Sequence, residues 1–149
     1  MRRCLISMGL LSEEESQFSR ASLRLLNPRL EGLKDLPFSQ AEQIMITKKQ
    51  TDKISVQGVQ PKFGAKINIS QQTFEIVDKY GQYILKPQNP DWPELPENES
   101  FTMRMAAFAK LEIPPSGLVR CSDNSLPILL KVLIVPGEIK NYILKTLLN

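Results

Sequence analysis

The chain has no histidine. That absence excludes Ser-His and Cys-His nucleophilic catalysis, and every zinc site that needs an imidazole. Cysteine is scarce: Cys4 and Cys121 stand far apart, without metal-ligand spacing, a usage that suits a reduced cytoplasm. An excess of one charge is also missing. The 19 Lys and Arg face 16 Asp and Glu, mixed along most of the chain, and the net +3 is too mild to argue for nucleic acid. No apolar run is long enough to span a bilayer. The opening MRRCLISMGLLSEEE sets two arginines before a short apolar stretch, but Ser7 interrupts it and no small-residue cleavage site follows, so it is not read as a signal peptide. There is no internal repeat and no low-complexity tract.

What is present fits one soluble domain: 149 residues, 42% hydrophobic and 23% charged. Ser12 followed by Glu15 is a capping-box pattern and predicts a helix over SEEESQFSRASLRLL, with carboxylates in its first turn. NPRLEGLKDLP (27–37) reads as loop, and SQAEQIMITKK (39–49) as a second short helix. Then the pattern changes. KINI (66–69), TFEIV (73–77) and YILKP (83–87) are strand signals joined by short turns. NPDWPELPEN (89–98) is proline-punctuated loop. ESFTMRMAAFAKL (99–111) places Phe101, Met105, Phe108 and Leu111 at helical spacing and predicts an amphipathic helix. GLVRC (117–121) and LPILLKV (126–132) complete the strands around an SDNS turn. The expected fold class is α+β: an antiparallel sheet of about five strands with one helix inserted, preceded by a helical and loop segment over 1–50.

Three strands, a helix and two strands is the order of a protein-kinase N-lobe. The chemistry lies in where the polar residues fall. Lys86 sits in the third strand, where a lysine can reach a nucleotide's α- and β-phosphates, and the following helix opens with Glu97 and Glu99. Glu99, within the helical run, is the better partner for Lys86. By spacing alone, a strand-end lysine snorkelling its ammonium to water is the commoner situation. Just before the first strand, KISVQGVQPK (53–62) holds a Gly-containing turn able to aim backbone N–H groups at phosphates, although with one glycine, Gly58, a plain turn is the safer reading by itself.

Taken in order, SVQGVQPK, YILKP, PELPENE with TMRMA, PPSGLV and DNS resemble the HipA-type kinases, serine/threonine kinase toxins of bacterial toxin–antitoxin systems. The resemblance covers roughly 1–131 and is strongest to the short branch called HipT. It implies a HipA-type N-lobe over 51–131. It makes SVQGVQPK the phosphate-covering loop, with Gly58, Val59 and Gln60 supplying backbone, and Ser55 the autophosphorylated serine. Where some relatives carry a second serine, this chain has Gln57. Lys86 becomes the phosphate-binding lysine, and Asn98–Glu99 the pair that opens the helix. The strand ending at Lys131 leads to the adenine-contacting hinge. ATP and Mg²⁺ are the cofactors implied for intact relatives, with weak binding or none expected of these 149 residues. The implied partners are the antitoxin and a small protein of the same operon, with an aminoacyl-tRNA synthetase-type substrate, a cytoplasmic setting, no membrane and no direct nucleic acid.

The resemblance breaks at Lys131, after which the family continues Lys-Arg-Phe-Asp-Arg and, further on, Glu-Asp-Phe-Ala-Gln or similar. Here the tail reads KVLIVPGEIKNYILKTLLN (131–149). Inserting one base before the Val132 codon lets Val132–Val135 be read as Arg-Phe-Asp-Arg. The same shifted frame lets Glu138–Tyr142 be read as Asn-Lys-Lys-Leu, and Leu144–Asn149 as Glu-Asp-Phe-Ala-Gln. One shift recovers both motifs, so 132–149 is expected to be an out-of-frame tail. The competing reading is a natural C-terminal helix, since Ile139, Tyr142, Ile143, Leu147 and Leu148 keep helical spacing. The family's catalytic and metal-binding carboxylates belong to the lobe that follows. The expected function is therefore a kinase ATP-binding-lobe fragment, catalytically incomplete as written and predicted inactive. The alternative is a non-enzymatic module that binds the toxin–antitoxin partners. ILLKVLIV (128–135) adds an apolar edge-strand hazard and predicts poor solubility.

Overall fold

The computed structural model describes residues 2–51 and 62–132. The architecture is α+β. Two helices, α1 (Arg20–Leu26) and α2 (Gln40–Thr51), precede strands β1 (Phe63–Asn68), β2 (Thr73–Val77) and β3 (Tyr83–Lys86). Helix α3 (Leu95–Phe108) follows, then β4 (Ser116–Leu118) and β5 (Ile128–Lys131). The strands form one sheet in the order β2-β1-β3-β5-β4, every pairing antiparallel.

The period of two sorts each strand onto two faces. Phe63 and Ala65 of β1, Tyr83 and Leu85 of β3, and Leu129 of β5 point to one face. There they pack with Cys4, Ile6, Phe18, Leu23, Leu26, Leu30 and Leu36 of the N-terminal segment in one buried core. Helix α3 packs on β4 and β5. The ladder Lys86↔Ile128↔Leu118 runs across the sheet on the face opposite to the Leu85↔Leu129↔Gly117 row. Gly117 belongs to the core face, where a Cβ would come within 2.7 Å of the Ile6 Cα, so the N-terminal segment can lie directly on β4 only because that residue is glycine.

Helix α1 is shorter than the sequence predicts. The Ser12–Glu15 box does form: the Glu15 carboxylate accepts from the Ser12 N–H at 3.0 Å and hydroxyl at 3.2 Å. It closes a single turn, however, and its other oxygen accepts the Arg20 N–H at 2.9 Å. The helix starts at a second cap, where Ser19 Oγ accepts from the Ser22 N–H. Two tertiary ties hold the chain to that later start: Phe18 is buried, and the Ser19 N–H donates to Cys4 Sγ at 3.3 Å. Burial pushes the Cys4 thiol up, but its hydrogen bonds with Ser22, Ser7 and Ser19 outweigh that and bring it down to about 6. Helix α2 realises the predicted second helix, begun by a reciprocal box between Ser39 and Glu42 at 2.7–3.2 Å.

Two further expectations are corrected. Phe101, Met105, Phe108 and Leu111 do not face the core; they are 63, 51, 86 and 63% exposed. Helical spacing identifies a stripe but not the direction it faces, and the inward side of α3 is Pro96 and Ser100. The helix also stops short of Leu111, where Lys110 turns left-handed (φ 61°). Residues 128–131 are not an edge: β5 lies between β3 and β4, and β2 and β4 are the outer strands. The tail beyond Val132 lies outside the described residues.

Tyr83 and Lys131, paired across β3 and β5, both serve the C-terminus of α1. The Tyr83 hydroxyl donates to the Leu26 carbonyl at 2.7 Å, and Lys131 Nζ donates to the same oxygen at 2.9 Å. They satisfy a carbonyl that the helix end leaves without a partner. Burial raises Tyr83 to about 12, and its ring meets Phe74 edge-on at 5.1 Å. Tyr83→Phe keeps the ring contacts and deletes the donor, so it is expected to lower stability by about 1 kcal/mol, readable as a shifted urea midpoint with an unchanged slope. A variant as stable as the parent would show that Lys131 alone suffices.

Candidate functional site

The β3–α3 connection builds a polar cluster on the sheet face opposite the main core. Lys86 ends β3 and is followed by Pro87, which stops the ladder. Its Nζ meets Glu99 Oε1 at 2.5 Å. At 21 and 23% side-chain exposure the pair is shielded from most of the screening that weakens surface ion pairs. The reach from strand to helix works because Lys86 lies on the α3 side of β3 and Glu99 on the sheet side of α3, one residue before the buried Ser100.

Sequence reasoning missed a second cation. Lys62 stands one residue before β1, whose Phe63 pairs with Leu85, and is close enough to Lys86 to feel its charge. Burial, and then the nearby Lys86 ammonium, hold Lys62 below the ordinary lysine range. The signal was in the sequence: Lys62 closes SVQGVQPK immediately before the first strand, and antiparallel pairing of that strand with YILKP brings the two lysines near each other.

Gln88, just beyond Lys86, was also missed. Its Nε2 donates to the Pro93 carbonyl at 3.0 Å and to Glu97 Oε1 at 3.3 Å, while its Oε1 accepts the Leu126 N–H at 3.2 Å. Its carbonyl accepts from Gln40 Nε2 at 3.2 Å. Gln40 also donates its N–H to Asp123 Oδ2 at 2.7 Å, which docks the start of α2 on the turn before β5. Glu97, the other predicted carboxylate, thus engages Gln88, and Glu99 alone holds Lys86.

The structure separates the remaining site candidates. The side chain of Lys131 lies on the core face, its ammonium taken by the carbonyls of Leu25 and Leu26, so it is not part of the Lys86 cluster. Ser55, Gly58, Val59 and Gln60 lie outside the described residues. Among the described residues, no group of three or more Cys, Asp or Glu could hold a metal ion, and no helix is long and apolar enough to cross a membrane.

A strand lysine is gripped by a helix carboxylate, with a second lysine near it, on one face of an α+β sheet. Comparison with known proteins gives the arrangement a family: the HipA-like C-terminal domain matches residues 54–132, and the chain belongs to the HipA family. It is also 34% identical over 121 residues to a Haemophilus influenzae protein described as "Putative kinase". That match takes in 80% of this chain and 35% of the relative, so the chain spans about a third of the relative's length.

Proposed function

We propose that these residues form the nucleotide-gripping lobe of a HipA-type serine/threonine protein kinase, with kinase N-lobe architecture and nearest in character to the HipT branch. One observation carries the reading: Glu99 grips Lys86, with Lys62 nearby, on a chain of this family. Phosphoryl transfer needs little covalent chemistry from a protein and depends on positioning and charge. Lys86, oriented by Glu99, is suited to nucleotide phosphate oxygens, and Lys62 supplies a second positive charge. The SVQGVQPK loop joins α2 to Lys62, and its backbone around Gly58 would close over the phosphates, with Ser55 as the acceptor of autophosphorylation. When bound, ATP supplies the phosphoryl group. The described residues fit its phosphates but offer no cluster for Mg²⁺.

In this reading, operation as a toxin in the cytoplasm, against an antitoxin and with an aminoacyl-tRNA synthetase-type substrate, belongs to the intact kinase. The family match ends at residue 132, which supports reading the tail as out of frame. The polypeptide 1–149 is then expected to transfer no phosphate. Incubated with Mg²⁺ and γ-labelled ATP, it should leave Ser55 unlabelled. Label on Ser55 with no other kinase present would overturn the catalytic incompleteness.

A further inference from the structure

Helix α3 is held to the sheet in an unusual way. Of its residues only Pro96 and Ser100 are fully buried, Leu95 and Met103 are half-buried, and Phe101, Met105 and Phe108 face solvent. Its N-cap, Glu94, makes no side-chain capping bond. Hydrophobic burial therefore contributes little to where the helix sits, and polar tethers take over. One is Arg104, whose Nη1 donates to the Ser7 carbonyl at 2.6 Å near the far end. At the near end the tethers are the Lys86–Glu99 pair itself and the Gln88 amide.

We infer that Gln88 is a positioning residue that sets the first turn of α3, and through it the grip of Glu99 on Lys86. Its amide is fixed in one orientation because its partners cannot exchange roles. The Leu126 N–H can only donate, so it takes Oε1; the Pro93 carbonyl can only accept, so it takes Nε2. The same NH₂ group donates to Glu97 Oε1, in the first turn of α3, while Glu97 Oε2 is buried without a hydrogen-bond partner among the described residues. Gln88 thus clamps the chain entering α3 and the first turn itself to the turn before β5, two residues from Lys86. Its backbone carbonyl holds Gln40 at the start of α2, the helix that leads into the SVQGVQPK segment. One residue ties together the structures on both sides of the lysine pair. Its functional meaning rests on reading Lys86–Glu99 as the phosphate-gripping pair; the structural claim does not.

Competitive acetylation of the chain at micromolar concentration, read lysine by lysine by peptide mass spectrometry, tests it. Glu99→Gln sets the rate for a released Lys86. Gln88→Ala and the isosteric Gln88→Glu, which turns two donated bonds into repulsions, are expected to speed acetylation of Lys86 toward that rate. The change should be about fivefold, near the upper limit for a partly exposed ion pair. Lys131, bound to the carbonyls of α1, should be unchanged and serves as the fold control. Unchanged Lys86 in both variants would overturn the inference. So would a rise in all lysines together in Gln88→Glu, which would make Gln88 a general support for the fold. If the alanine variant alone loosens every lysine, the glutamate variant decides. Failure of the nucleotide reading would appear separately, as no protection of Lys86 by added ATP in the frame-restored kinase.

Discussion

On the proposed reading, inserting one base after the Lys131 codon is expected to yield a kinase that slows growth when expressed without its antitoxin. The shifted frame should run through Lys-Arg-Phe-Asp-Arg and Glu-Asp-Phe-Ala-Gln to a lobe bearing an Asp-x-His-x-x-Asn-type catalytic loop, and the product should autophosphorylate at Ser55. Up to Lys131 the chain is in register: Lys131 pairs with Tyr83, and the Val132 N–H donates to the Gln82 carbonyl at 2.8 Å. The family match ends at residue 132. A tail selected as a natural helix would have no reason to encode both family motifs one base away. A stop codon or unrelated sequence directly downstream in the shifted frame would refute this.

The second large effect concerns the pair itself. In the frame-restored kinase, Lys86→Ala is expected to lower Ser55 autophosphorylation by at least about a hundredfold, the scale seen when one preorganised charge-stabilising donor is removed. Growth should recover with it. Stability is expected to change by only ~1 kcal/mol or less, because the pair is partly exposed. Glu99→Gln removes the orienting charge and not the ammonium, so a smaller loss is expected. Lys62→Ala should fall between the parent and Lys86→Ala. Full activity in Lys86→Ala, measured with labelled ATP, would remove the lysine from the site.

Much of this site was legible before any coordinates. Alternating Ile, Val, Phe and Tyr between short turns fixes strands, because a half-buried pleated surface accepts little else. Lys86 and Glu99 could be paired because a lysine at a strand end and a carboxylate opening the next helix are brought close by one short connection. What sequence did not reveal depends on tertiary choices. The competition between the Ser12 and Ser19 caps was settled by Phe18 burial and the Cys4 thiol, both remote in local pattern. The stripe through Phe101, Met105 and Phe108 reads as a core face because spacing carries no direction. Lys131 was named as the end of the strand leading to the hinge; that its side chain turns to the core face follows from the two-residue period of β5, which motif position does not reveal. Gln88 gave no signal, since an amide between proline-rich neighbours resembles ordinary loop until its four partners are seen.

Protection of individual lysines by ATP is the most direct test of the central claim, that Lys86 and Lys62 form a phosphate-gripping site. The frame-restored kinase would be acetylated with and without millimolar ATP, since weak binding or none is expected of the 149 residues alone. The account expects slower acetylation of Lys86 and Lys62, with Lys131 and Lys66 unaffected, and loss of Lys62 protection in Lys86→Ala. Equal rates at every lysine with and without ATP, or protection spread evenly over the chain, would contradict it.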